Sequence, residues 1–283
     1  MDDICCIYHK DCVDGTTAAA VLLRAFPHAR TFPLSHAYTE KDFEEVRTHV
    51  SASTHVYIVD CILGLHECLA LGCTVTVIDH HEQACGEIAQ LEEQFPKLTR
   101  VCDPSHSGAS LTWSTLFPDE DMPMLVRHVE DGDLWTHAFP ETKHVTQYLS
   151  IFRNDPVAMG ALFEKPLEEV VEKGQVISAY VDTEVENFLR IPPRLLRVGA
   201  HTIPAVNITT HESICGNILS ERFDSAVILY TVRGNSVKCS IRSRAHQVPN
   251  ALAVATLLGG GGHPCASGAT ISWEQFLDMQ QAC

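Results

Sequence analysis

Apolar runs that stop abruptly in acids and imidazoles recur along the first third of the chain. The clearest is residues 74–82, Thr-Val-Thr-Val-Ile-Asp-His-His-Glu. Its first half reads as a buried strand, because Val, Ile and Thr pack well on a pleated sheet. Its second half brings Asp79, His80 and His81 together, and burying them needs partners. Either this strand delivers ligands to a metal or phosphate, or it ends in a polar turn. Residues 3–8 lead in the same way into His9, Asp11 and Asp14-Gly15, and residues 56–59 end in Asp60. In open α/β sheets ligands bind beyond the carboxyl ends of the strands. Three polar strand ends at one edge therefore favour a site over three unrelated turns. Their carboxylates and imidazoles suit Mn²⁺, Mg²⁺ or Co²⁺, and thiolates are not expected in the set.

Between these runs, residues 16–26, 43–50 and 63–71 read as helices, and the alternation predicts a parallel sheet with crossover helices. A short strand is predicted at 101–103. Ser107-Gly108-Ala109 then opens a helix to Leu116, with Ser105 or Ser107 as its N-cap. Residues 122–129 are helical and run into Glu130-Asp131-Gly132-Asp133-Leu134-Trp135. The plain alternative there is a solvated turn. Trp135 speaks against full exposure, so this is taken as a fourth ligand-bearing segment.

Beyond residue 165 the pattern changes. Residues 166–191 fit one long helix, ended by Pro192-Pro193. Strands are predicted at 195–198, 203–208, 226–232 and 236–241, with a tight turn at Arg233-Gly234-Asn235 joining the last two as a hairpin. Lys238, Ser240, Arg242 and Arg244 then share one face. A helix at 250–258 precedes Gly259-Gly260-Gly261-Gly262-His263-Pro264. Such a glycine run lets backbone N–H groups approach an anion, and His263 can donate to phosphate. No Lys-Ser or Lys-Thr follows, so it is not a Walker loop. The expected fold is α/β: a parallel-sheet domain over 1–165, a linker helix over 166–192 and a smaller mixed-sheet domain over 193–283.

Composition narrows the function. The 283 residues include 36 acids and 20 bases, a formal net charge of −16. That argues against long duplex nucleic acid, which needs a basic footprint. It leaves room for a small anion drawn in by metals and a few arginines. The 12 cysteines form no Cys-x-x-Cys pair. With no signal-peptide pattern after Met-Asp-Asp and no membrane-length apolar run, they read as reduced thiols in a cytoplasmic protein without a membrane anchor.

In this order the stretches resemble the DHH phosphoesterase superfamily, in the subgroup carrying a C-terminal DHHA1 domain. The resemblance rests on His9-Lys10-Asp11-Cys12-Val13-Asp14-Gly15, the strand ending at Asp60, Asp79-His80-His81, the Asp131/Asp133 segment, the Ser240-Ile241-Arg242-Ser243 strand and Gly259 to His263. It implies a phosphoesterase with two divalent metal ions, usually Mn²⁺, that activate a water for attack on phosphorus. It further implies His9, Asp11, Asp14, Asp60, His80 and Asp131 as metal ligands, with Asp60 bridging, and Asp79 and His81 as catalytic or phosphate-contacting groups. Arg242, Arg244, Gly260, Gly261, Gly262 and His263 are implied to bind substrate, the DHHA1 domain closing over it. The first motif departs from the commoner His-x-Asn-x-Asp-Gly-Asp form by one additional residue before Asp14 and by Thr16 in place of an acid. Alignment on Trp135 favours Asp131 over Asp133. The implied substrate is a small, including cyclic, nucleotide or a short oligonucleotide. The alternatives are a phosphoanhydride hydrolase acting on pyrophosphate or polyphosphate, or a weakened nucleotide-binding sensor. A homodimer is left open.

Overall fold

The computed structural model describes residues 3–36, 38–244 and 246–281. These fall into two compact units, 1–178 and 179–283. The first is built on a five-stranded sheet of β1 (Asp3–His9), β2 (Arg30–Leu34), β3 (Thr54–Val59), β4 (Thr74–Asp79) and β5 (Leu98–Cys102). The order is β2-β1-β3-β4-β5 and every pairing is parallel. Its helices are α1 (Val13–Ala25), α2 (Glu40–Arg47), α3 (Leu65–Ala70), α4 (Glu82–Glu92), α5 (Gly108–Leu116), α6 (Met124–Asp133), α7 (Thr142–Leu149) and α8 (Pro156–Ala161).

Both faces of this sheet are covered. Cys6, Tyr8, Val59 and Ile78 pack with residues of α1, α5, α6 and α7 on one side. Cys5, Ile7, Ile58 and Val77 pack with residues of α2, α3 and α4 on the other. This accounts for the continuous apolar runs, since a parallel sheet is buried on both faces. The chain leaves β1 toward β2 and later returns to β1's other side as β3. The order therefore reverses between β1 and β3, the place where α/β sheets bind ligands.

The long helix expected over 166–191 is α9 (Leu167–Leu189), and the division between units falls within it. The second unit carries β6 (Arg194–Val198), β7 (His201–Asn207), α10 (Glu212–Phe223), β8 (Val227–Arg233), β9 (Ser236–Arg242), α11 (Ala251–Leu257), β10 (Gly261–Gly262), β11 (Ala266–Ser272) and α12 (Trp273–Gln281). Its mixed sheet runs β10-β11-β9-β8-β7-β6. The predicted hairpin is β8–β9, paired from Val227↔Arg242 to Arg233↔Ser236. No helix among the described residues is long and apolar enough to cross a membrane.

The reading of all cysteines as reduced is corrected at one pair. Cys85 on α4 and Cys102 at the end of β5 form a disulfide with Cα atoms 5.8 Å apart. Packing of α4 beside β5 brings them into bonding range. Nine other described cysteines are free, seven of them buried: Cys5, Cys6, Cys61, Cys68, Cys73, Cys215 and Cys239.

Candidate metal centre

Three adjacent strands end at one place. His9 closes β1, Asp60 follows β3, and Asp79, His80 and His81 follow one another at the end of β4. Asp60 turns the chain in the left-handed region, φ 58°, and its N–H donates to Ile78 O at 2.9 Å. Such backbone in a non-glycine residue persists where its surroundings over-determine it. His80 Nε2 lies 3.3 Å from Asp60 Oδ1, and His9 Nδ1 3.5 Å from Asp60 Oδ2. Asp79 accepts from the N–H groups of His80 and His81 and from His81 Nδ1, the last at 2.7 Å. That bond holds the imidazole and leaves Nε2 as its other ring nitrogen.

Two helix ends complete the group. Asp14, in the first turn of α1, accepts from Gly108 N at 2.7 Å and Ala109 N at 3.0 Å, at the N-terminus of α5. Ser107 is the N-cap of α5, as one of the two expected serines. Two glycines make the closeness attainable. A Cβ on Gly15 would stand 2.9 Å from Asp60 Oδ2, and one on Gly108 2.7 Å from Asp60 Cβ.

The fourth segment is corrected by one turn of chain. The helix expected to stop at 129 continues to Asp133, so Gly132 is helical and the acids diverge. Asp133 Oδ2 lies 3.5 Å from His80 Nε2. Asp131 is instead buried among donors of its own segment: the Thr136 and Thr142 hydroxyls, Ala138 N and Phe139 N. Asp11 also stays apart from the group. Its N–H and carboxylate make reciprocal bonds with the Asn154 side chain, at 2.8 and 2.7 Å. Thr16 is buried, donating to Cys12 O at 2.7 Å and accepting from Asn154 N at 3.1 Å, which is a bracing role in place of an acid. Conversely, the thiol of Cys12 was excluded by donor type, yet its Sγ falls within 4.8 Å of ligand atoms of His9 and Asp60. There it caps α1 by accepting from Gly15 N.

The residues fit a pair of divalent cations. Three sets of donor atoms lie within 4.8 Å of one another: Asp60, Asp79, His80 and His81; His9, Cys12 and Asp60; and Asp14, His80 and Asp133. Asp60 and His80 each belong to two sets. Asp60 Oδ2 and Asp79 Oδ2 are buried without a hydrogen-bond partner among the described residues. Such orphaned carboxylate oxygens are costly unless a cation meets them. The charges say the same. Burial, then the charge of Asp60, pushes Asp133 up to about 6. Asp14 is raised by the same two causes in the same order, with Asp133 adding to them. Burial opposes the charge of Asp60, but His80 and His9 outweigh it and hold this carboxyl well below its usual range. Burial likewise works against a charged His80, and the acids around it, Asp60 first, raise it to about 9. Oxygen and imidazole donors in this mixture suit Mn²⁺ or Mg²⁺.

The groups expected to bind substrate lie in the second unit. Arg242 Nη2 donates to Ser213 Oγ at 2.9 Å, and Arg244 Nη2 to Glu221 Oε2 at 2.7 Å. Arg244 lies past the end of β9, so the shared face extends only to Arg242. The glycine run is partly a strand: Gly261 and Gly262 pair with Gly268 and Ser267 of β11. Gly262 has φ 137°, and a Cβ there would meet Ser267 Cα at 2.7 Å. His263 follows, exposed, its N–H donating to Ala266 O at 2.8 Å.

A parallel-sheet unit with a strand-edge site at its topological switch, followed by a mixed-sheet unit with a glycine strand, is consistent with the layout of a DHH domain followed by a DHHA1 domain. Residues 205–283 match the DHHA1 domain family. The chain is 24% identical over 295 residues to an uncharacterized protein of Acanthamoeba polyphaga mimivirus, covering 94% of this chain and 67% of that protein. It shares its fold with RecJ in complex with Mn²⁺ from Thermus thermophilus, with TM-score 0.59 and 17% identity over 99% of this chain and 51% of that one. It also shares it with PggH, a pGpG-specific phosphodiesterase of Vibrio cholerae, with TM-score 0.54 and 14% identity over 99% and 97%. The chain thus carries a DHHA1 domain over residues 205–283 and shares the fold of RecJ and PggH over nearly its whole length.

Proposed function

We propose that the chain is a metal-dependent phosphodiesterase acting on small nucleotides or short oligonucleotides. The observation that carries this reading is the convergence of Asp60 and His80 with His9, Asp14 and Asp133, with carboxylate oxygens left unpartnered. These five would hold two divalent cations, Mn²⁺ by analogy with RecJ, which supply an activated water and Lewis acidity at phosphorus. The carboxylate of Asp60, common to two donor sets, would offset repulsion between the cations. Asp79 orients His81 through Nδ1 so that Nε2 can contact a phosphoryl oxygen or carry a proton. In the DHHA1 domain, Arg242, Arg244, Gly260, Gly261, Gly262 and His263 are the proposed phosphate-binding groups. Arg244 is paired with an exposed Glu221, and exchanging such a partner for phosphate costs little. The net charge of −16 disfavours long strands and supports a short substrate.

The test is elemental analysis of bound metal, followed by Mn²⁺-supplied hydrolysis of pApA, a single-stranded length series up to a twenty-mer, cyclic dinucleotides, pyrophosphate and polyphosphate. Bound divalent metal and a kcat/KM that falls with strand length are expected. Turnover of pyrophosphate or polyphosphate without any diester cleavage would make it a phosphoanhydride hydrolase. Binding without turnover of any of them would make it a sensor.

A further inference from the structure

Two residues past Asp133 the chain bends in a way its side chains resist. Trp135 and His137 both lie in the left-handed region, at φ 57° and 49°. For a bulky residue this is a true outlier, and such outliers persist only where surrounding structure imposes them. Here the imposing group is Asp131, whose carboxylate takes the hydroxyls of Thr136 and Thr142 and the N–H groups of Ala138 and Phe139. Burial opposes its charge, and these four bonds outweigh burial and hold the carboxyl well below its usual range. The acid that the sequence suggested as a ligand is thus the clasp of the loop that follows the ligand.

The clasp presents an indole. Trp135 is 61% exposed, although the segment's acid Asp131 is buried. Trp113, by contrast, is buried in the core at 2%. Trp135 has one described ring contact, with His137, at 5.5 Å and an interplanar angle of 87°. A single perpendicular contact covers at most one of its two faces. Its Cα lies within about 7 Å of that of Asp133 by chain geometry alone, so Trp135 sits on the segment that carries this candidate ligand. Its neighbours Thr136 and His137 are exposed and polar, which suits a ligand platform better than an apolar docking face.

We infer that Trp135 is a stacking platform for a nucleobase of the substrate, and that Asp131 is the positioning residue that holds it there. The inference rests on the phosphodiesterase reading for the identity of the ligand, and it deepens that reading: the site recognises a nucleoside phosphate, not a bare phosphate chain. Stacking reads the face every base has, so the platform favours bases over no base without choosing among them.

The experiment is calorimetric binding of AMP and of ribose 5-phosphate to the Mn²⁺-supplied full chain, as wild type, Trp135→Ala and Trp135→Phe. Because Trp135 is exposed, neither substitution removes core packing, and a thermal melt of each variant checks this. Wild type is expected to bind AMP about 5- to 100-fold more tightly than ribose 5-phosphate. Trp135→Ala should reduce that ratio to about 2 or less, and Trp135→Phe should keep most of it. A wild type that does not prefer AMP, or a ratio unchanged in Trp135→Ala, overturns the inference. A ratio that collapses as expected in a protein that cleaves no diester leaves the platform standing and overturns the phosphodiesterase reading instead.

Discussion

Asp131 and Asp133 are separated by one glycine, yet their surroundings give the two carboxylates opposite properties. Asp131 is saturated with donors and strongly acidic; Asp133 faces Asp60 and is raised to about 6. Asp133→Asn should lower bound Mn²⁺ and activity, while the metal-free Tm holds or rises because a like charge has gone. Asp131→Asn turns an amide N–H toward donors and should cost on the order of 5 °C in Tm, with metal content near wild type. Elemental analysis and melting curves of the two variants decide. Metal lost from Asp131→Asn and kept by Asp133→Asn would return the ligand role to Asp131. Sequence could not separate the two, because both flank Gly132 and nothing in the pattern says that the helix passes through it. Trp135 was a sign that the segment is not fully solvated, and Asp131 is indeed buried, while the clasp leaves the indole itself exposed. His9, Asp60, Asp79, His80 and His81 were legible because each interrupts or ends an apolar strand, where a charge needs a reason. Cys12 was missed because donor type alone argued against it.

At the scale of elements, the strand ends carry the site only because α5 approaches them closely. Gly108 is the point of approach, with Asp60 Cβ and Cα at 2.7 and 3.0 Å from where its Cβ would be. Gly108→Ala should push α5 and its two N–H donors away from Asp14, lowering both Tm and metal affinity. Gly86→Ala is the matched control: Gly86 lies within α4 with nothing within 4 Å of its Cβ position. It should gain about 0.4–1 kcal/mol of stability with metal binding unchanged. Equal effects of the two substitutions on metal binding would break the argument. The sheet itself was readable from three apolar runs, but β2 was not. Its sequence is Arg-Thr-Phe-Pro-Leu, and a proline is tolerated because β2 is the edge strand beyond β1. In the second unit β11 escaped because Ala266 to Ser272 alternates in burial with mostly small residues, which leaves little hydropathy contrast to read. The hairpin β8–β9 was legible because its turn chemistry is local, whereas the pairing of Gly261 and Gly262 with β11 depends on residues farther along the chain.

For the molecule as a whole, the candidate centre couples stability to pH in a direction that the metal should reverse. Without a cation, His80 is raised to about 9 from an ordinary 6.5. The folded state therefore holds this proton more tightly than the unfolded chain. The stability it contributes is complete below the unfolded value and is lost as pH rises through about 9. Asp14 and Asp133 are also raised, so they too favour the protonated folded form; for Asp133 the loss is finished once pH has passed about 6. Asp60 runs the other way, but its stability is lost only as pH falls through a value far beneath this range. His36 and His128 are lowered by burial, so their opposing effect is confined to pH below their ordinary 6.5. Between about pH 7 and 9.5 the His80 trend runs in the same direction as those of Asp14 and His81, which are also raised, and of buried thiols such as Cys6, which burial raises. A formal charge of −16 adds self-repulsion across the same interval. Divalent cations need these ligands deprotonated and replace the protons that are lost. The Tm of EDTA-treated protein should therefore fall from pH 7 to 9.5, and the Tm gained on adding Mn²⁺ should widen. His80→Gln removes the titrating group, so in that variant the metal-free slope should flatten and the gain from Mn²⁺ should shrink. Differential scanning calorimetry of both proteins, with and without Mn²⁺, measures all four curves. A gain from Mn²⁺ that stays constant or narrows with pH in the wild type would mean that these acids and imidazoles do not share a cation.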